Sequence, residues 1–146
     1  MIFGPLVGDI LIRKNLGAYI YGTTKNPVNA NNLEIVKKLI RTRHPNSKLI
    51  VIDAGLGYRK DVGRIKVFKD GIAPGSALYP NTRMYGNLGI MSMVGEFNSN
   101  PFRELATRNY FFIRHLAQKT ALAVENIYRD IGGNNYAKLG KQQINN

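Results

Sequence analysis

The 146-residue sequence predicts an α/β fold in a single domain. The stretches LIVI (49–52) and LGIMSMV (88–94) are almost unbrokenly apolar, as strands are when a helix-flanked sheet covers both their faces. Segments 6–11, 33–40 and 113–131 repeat apolar residues at steps of three and four, the period of a helix with one buried face. The two patterns alternate along the chain, which is the order of a three-layer α/β/α sandwich with right-handed crossovers.

Each element has its own signal. LVGDIL puts Leu6, Val7, Ile10 and Leu11 at helical spacing, and Gly17 is where such a helix would stop. AYIYG (18–22) reads as a short strand, and the polar connection TTKNPVNANN follows it. Asn31 or Asn32 caps a helix whose stripe is Leu33, Val36, Leu39 and Ile40, and Pro45 ends it. The next strand is expected to finish at Asp53, with GLG (55–57) turning the chain.

VGRIKVFKDG (62–71) alternates apolar and basic residues, as a strand with one wetter side does. IAPGSALYPNTR (72–83) carries two prolines and little periodicity, so it reads as a long loop before the buried strand 88–94. From Asn100, with Pro101 at the first helical position, one helix of roughly 45 Å is expected to run to Ile131 and stop at Gly132. Residues 1–131 form the domain and the polar stretch 132–146 reads as a loose tail.

Composition narrows the function classes. A hydrophobic fraction of 44% excludes bulk disorder, while no apolar run approaches the roughly 20 residues of a membrane span. No secretory signal is legible, so a cytoplasmic location is expected. The absence of cysteine removes disulfides, thiolate nucleophiles and the usual structural zinc sites. Lys plus Arg number 21 against 9 Asp plus Glu, and the resulting +12 favours an anionic partner or a polyanion-rich compartment.

Asp53 is the candidate site residue, a carboxylate following four apolar residues and preceding glycines. Open α/β sheets gather ligands at strand carboxyl ends, although Asp beside Gly also serves plainly in turns. Asp9 is expected to face solvent from the first helix, and Asp61 and Asp70 read as turn residues. The two histidines stand apart from any carboxylate pair: His44 is expected to complement a helix dipole and His115 to lie on a polar or half-buried face. No metal site and no cofactor are therefore expected; the serines lack a nucleophile elbow, and GLGYRKDVG lacks the third glycine and helix of a dinucleotide site. In KKLIRTRHPNSK (37–48), Lys37, Lys38 and Arg41 share a face that suits nucleic acid, or simply water. Tyr110, Phe111 and Phe112 read as packing residues.

FGPLVG (3–8), YGTTKNPVNANNL (21–33), VIDAGLG (51–57), VGRIKVFKDGIAPGSA (62–77) and, more loosely, YGNLGIMSMVG (85–95) and ELATRN (104–109) occur in one order over about residues 3–125. In these segments the chain resembles the YyaC-type sporulation proteins, relatives of the spore germination protease and the hydrogenase maturation endopeptidases. The resemblance implies a phosphorylase/hydrolase-like fold and peptide hydrolysis by a pair of aspartates. Asp53 matches one of them, and the other would fall at Met1. Asn29, Asn87 and Gly89 stand where the family more often has histidine, aspartate and histidine. The family also carries a first central strand before FGPLVG, which this chain is expected to lack through a truncated start.

Two functions follow as expectations. One is a sporulation-associated endopeptidase acting through Asp53 on a protein or peptide, small spore proteins among them, in the cytoplasm or forespore. The other is a non-catalytic protein that binds a partner through the same fold, the charge favouring an anionic one.

Overall fold

The computed structural model describes residues 2–132. Its elements are α1 (Phe3–Lys14), α2 (Leu33–Arg43), β1 (Ile50–Gly57), a 3-10 turn (Arg59–Asp61), β2 (Ile65–Lys69), β3 (Leu88–Glu96), α3 (Pro101–Ala106) and α4 (Tyr110–Gly132). The apolar strand β3 is central, parallel to β1 and antiparallel to β2, so the expected α/β class holds with a mixed three-stranded sheet. The stretch read as a tail lies outside the described residues except for Gly132, which ends α4.

Alternation along β3 decides what covers each face. Ile90, Ser92 and Val94 are fully buried and point to a layer made by α1 and α4, where Phe3, Val7, Leu116 and Ala117 close the core. The opposite face carries Met91 and Met93, and there the 72–87 segment crosses, held by the Ile72–Tyr85 bridge. Beside that segment stands α2, with the Lys37 Nζ 4.9 Å from the Tyr85 ring centroid.

Four expectations need correction. Residues 18–22 form no strand, and none of them pairs with β1; Ile20 packs on the core instead. This segment is drawn against α1, where a Cβ on Gly8 would lie 2.0 Å from the Gly22 carbonyl oxygen. The GLG stretch is not a turn but the second half of β1, paired with the end of β3 and buried. Its glycines answer packing: a Cβ at Gly55 would lie 2.6 Å from Met91 Sδ. The strand read within 62–71 is confined to Ile65–Lys69, because Val62 closes the 3-10 turn.

The long helix is two helices. Asn100 caps α3, its side chain accepting the Arg103 N–H at 3.0 Å. Asn109 then caps α4, accepting the Phe111 N–H at 2.8 Å. Two capping asparagines nine residues apart start two helices, and α4 alone spans about 35 Å.

Among the described residues the core holds one polar pair. Ser92 Oγ lies 2.7 Å from Thr120 Oγ1, and the Thr120 hydroxyl reaches the Leu116 carbonyl at 2.8 Å. Thr120 has one hydroxyl proton and donates it to Leu116, so Ser92 is the donor to Thr120. Thr120→Val is thus expected to orphan the Ser92 hydroxyl and cost about 1–3 kcal/mol, whereas Ser92→Ala removes the donor itself and costs less. Denaturant midpoints of the two variants measure the asymmetry; equal losses would contradict this donor assignment.

Candidate functional site

Asp53 stands in the middle of β1, not at its carboxyl end, since the strand runs on to Gly57. Its register partner on β3 is Met91, so its side chain leaves the sheet on the face crossed by the 72–87 segment. There Oδ2 accepts the Gly75 N–H at 2.6 Å, and Oδ1 accepts the Ala54 N–H at 2.8 Å. The carboxylate therefore clamps the crossing segment to β1 while capping a backbone donor of its own strand.

Burial raises the Asp53 pKa above the ordinary carboxylate value, and the two N–H donors pull it partly back. Desolvation dominates because both partners are neutral backbone amides, which cannot offset charge as a guanidinium would. The group is a carboxyl that holds its proton more readily than an exposed one.

The other acidic candidates are accounted for by local bonds. Asp9 does not simply face solvent: it accepts the N–H of Thr24 at 3.0 Å and its hydroxyl at 2.6 Å, anchoring the connection after α1. Asp61 is more than a turn residue, being buried and paired with Lys66 at 3.1 Å and Arg64 at 3.6 Å. Asp70 is a turn residue as expected, with φ of 65°.

His44 stacks on Tyr19 with ring centroids 3.9 Å apart and lies 2.9 Å from the Tyr21 hydroxyl. Its pKa is lowered, by burial first and then by neighbouring Arg43, so it takes up a proton less readily than a free imidazole. His115 is exposed on α4. Among the described residues no three His, Cys, Asp or Glu side chains gather closely enough to hold a metal ion.

The positions where the family pattern departs serve the backbone. The Asn29 side chain accepts the Asn31 N–H at 2.9 Å, and that of Asn87 accepts the Leu49 N–H at 2.8 Å. At Gly89 a Cβ would stand 2.3 Å from Ile72 Cγ2, so the crossing segment occupies the space a side chain would need. Asn29 also lines a cleft of about 670 Å³ between α1, the 20–29 segment and α2, floored by Ile12, Ile20, Val36 and Leu39. Asp53 is not among its lining residues.

What sequence reasoning missed is aromatic. Tyr110 and Phe111 are not packing residues; Phe111 is 74% exposed, and only Phe112 packs on the core. Phe111 lies on the α4 face of His115 and Gln118, away from the apolar stripe, and that periodicity was the available signal.

Residues 1–123 match the family described as "Protein of unknown function (DUF1256)". The chain belongs to the DUF1256 family. It is 30% identical over 125 residues to the uncharacterized protein YyaC of Bacillus subtilis (strain 168). That alignment takes in 85% of this chain and 57% of YyaC, so this DUF1256 chain spans little more than half the length of its curated relative. No solved structure matches it. No helix among the described residues is long and apolar enough to cross a membrane.

The Asp53 shift has a consequence for stability. A carboxyl whose folded pKa lies above its unfolded value binds protons more tightly when folded, so its contribution is greatest at low pH and is lost as pH rises through the folded pKa. Against an Asp53→Asn variant, the wild type should lose stability from the ordinary carboxylate range upward and then level off. Urea unfolding of both proteins across that range measures it; a relative gain with rising pH would contradict the burial argument.

Proposed function

We propose that this chain is a partner-binding member of a peptidase-like α/β family, and that in this form it does not complete a hydrolytic site. The observation that carries the proposal is the engagement of Asp53, whose two oxygens both accept backbone N–H groups and whose hydrogen-bond partners among the described residues include no side chain. Carboxylate hydrolysis needs one group to supply a proton while another activates water. A single carboxylate, each of its oxygens already engaged by a backbone amide, cannot fill both roles at once. The +12 charge supports an anionic partner.

A second reading is favoured by the raised pKa of the same residue. Under it the chain is a carboxylate-dependent endopeptidase of sporulation, related to the spore germination protease, in which Asp53 is the proton-carrying group. Its substrates would be proteins or peptides, small spore proteins included, in the cytoplasm or forespore. That reading needs a second carboxylate brought to Asp53 and release of the Gly75 clamp.

Hydrolysis of an unstructured fluorogenic protein substrate separates the two. Neither the wild type nor Asp53→Asn is expected to turn over substrate above the buffer rate. Turnover by the wild type that falls about 100-fold or more in Asp53→Asn would replace the first reading with the second.

A further inference from the structure

The exposed aromatic residues are not scattered. Tyr58 follows β1 and Phe97 follows β3, and because these strands are parallel the two rings leave the sheet side by side. The Phe97 N–H donates to the Gly57 carbonyl at 2.9 Å, and the rings meet edge to face with centroids 5.8 Å apart. Glu104 folds α3 back onto this end by accepting the Glu96 N–H at 3.0 Å, and Phe102 of α3 meets Tyr79 at 6.4 Å.

Tyr110 and Phe111 form a third pair at the start of α4, 6.1 Å apart. The next residue, Phe112, lies beside Gly63, whose N–H donates to Met93 near the end of β3 at 2.8 Å. Of seven exposed aromatic residues among those described, six thus stand at the carboxyl end of the sheet, Phe68 being the exception. Large rings left in water in such concentration mark a surface that something covers.

Charge indicates what covers it. The carboxylates at this end are already held, Glu96 by Arg59, Glu104 by Arg108 and Asp61 by Lys66 and Arg64. Lys60 and Arg103 are exposed and take part in no ion pair among the described residues. An apolar protein surface would leave these cations and the +12 charge unanswered, and an acidic polypeptide would leave the rings unused. A single-stranded nucleic acid answers both, with bases that stack on aromatic rings and phosphates that face the cations.

Building on the partner-binding reading above, we propose that the carboxyl end of the sheet binds single-stranded nucleic acid, its bases stacking on the Tyr58–Phe97, Tyr79–Phe102 and Tyr110–Phe111 pairs. The surface does not involve Asp53. It differs from the basic face of α2, where cations occur without exposed rings beside them.

Fluorescence anisotropy with a labelled oligo-dT of about 12 nucleotides tests it. Binding should be measurable at low salt and weaken steeply as salt is added. The double variant Tyr58→Leu, Phe97→Leu, which keeps charge and apolar area, should bind about tenfold or more weakly with an unchanged salt slope, while Tyr58→Phe binds like the wild type. Thermal unfolding of the double variant should match the wild type, since both side chains are exposed. If the double variant binds the oligonucleotide as tightly as the wild type, the proposal is overturned while the anionic-partner reading stands. Polyglutamate binding as tightly as the oligonucleotide, with both weakened equally in the double variant, would assign the surface to acidic polypeptides and overturn the nucleic-acid proposal. Binding of neither polyanion at low salt would overturn the proposal and the anionic partner with it.

Discussion

The parallel pairing of β1 with β3 is the constraint from which the rest of this fold follows. Both strands are apolar along most of their length, so the pair is stable only when both faces are covered. One face is closed by α1 and α4, which supply the core. The other lacks a comparable helical layer against the strands and is crossed by the 72–87 segment. That segment must dispose of its own backbone polar groups over an apolar surface. Asp53 takes one of them, the Gly75 N–H, and this requirement explains a carboxylate in the middle of a buried strand.

The buried polar groups share a logic. Ser92 and Thr120 link sheet to helix through a chain of hydroxyls ending on a helix carbonyl, so no proton donor is left over. Asp61 is buried with two cations at hand, and Lys37 is buried with its stem covered and its ammonium over the Tyr85 ring and beside Glu34. Asp53 differs in having only neutral donors. Burial raises its pKa, and this makes it the candidate proton carrier.

Membership of the DUF1256 family and the likeness to YyaC place this chain among relatives whose description names no activity. Asp53 lies half-buried in mid-strand with both oxygens on backbone N–H groups, whereas the rings of Tyr58, Phe97 and Phe111 stand exposed. Exposed Lys60 and Arg103 accompany exposed rings at the sheet's carboxyl end, the region where α/β folds present ligands to solvent.

The sequence by itself determined the class of fold, the helical stripes, the buried strand over 88–94 and the choice of Asp53. Each depends on local apolar period or on a residue type out of place among its neighbours, and both are visible in one dimension. The tertiary structure decided where those elements end and what they face. The glycines after Asp53 looked like a turn because glycine relaxes the backbone, but Met91 needs the room of a missing side chain, and only the neighbouring strand supplies Met91. Residues 18–22 had the composition of a strand and no partner to hydrogen-bond, and a strand exists only in a pair. The aromatic pairs escaped notice for the same reason: Tyr58, Phe97 and Phe111 are far apart in sequence, and parallel strands with antiparallel-running helices bring their rings to one end.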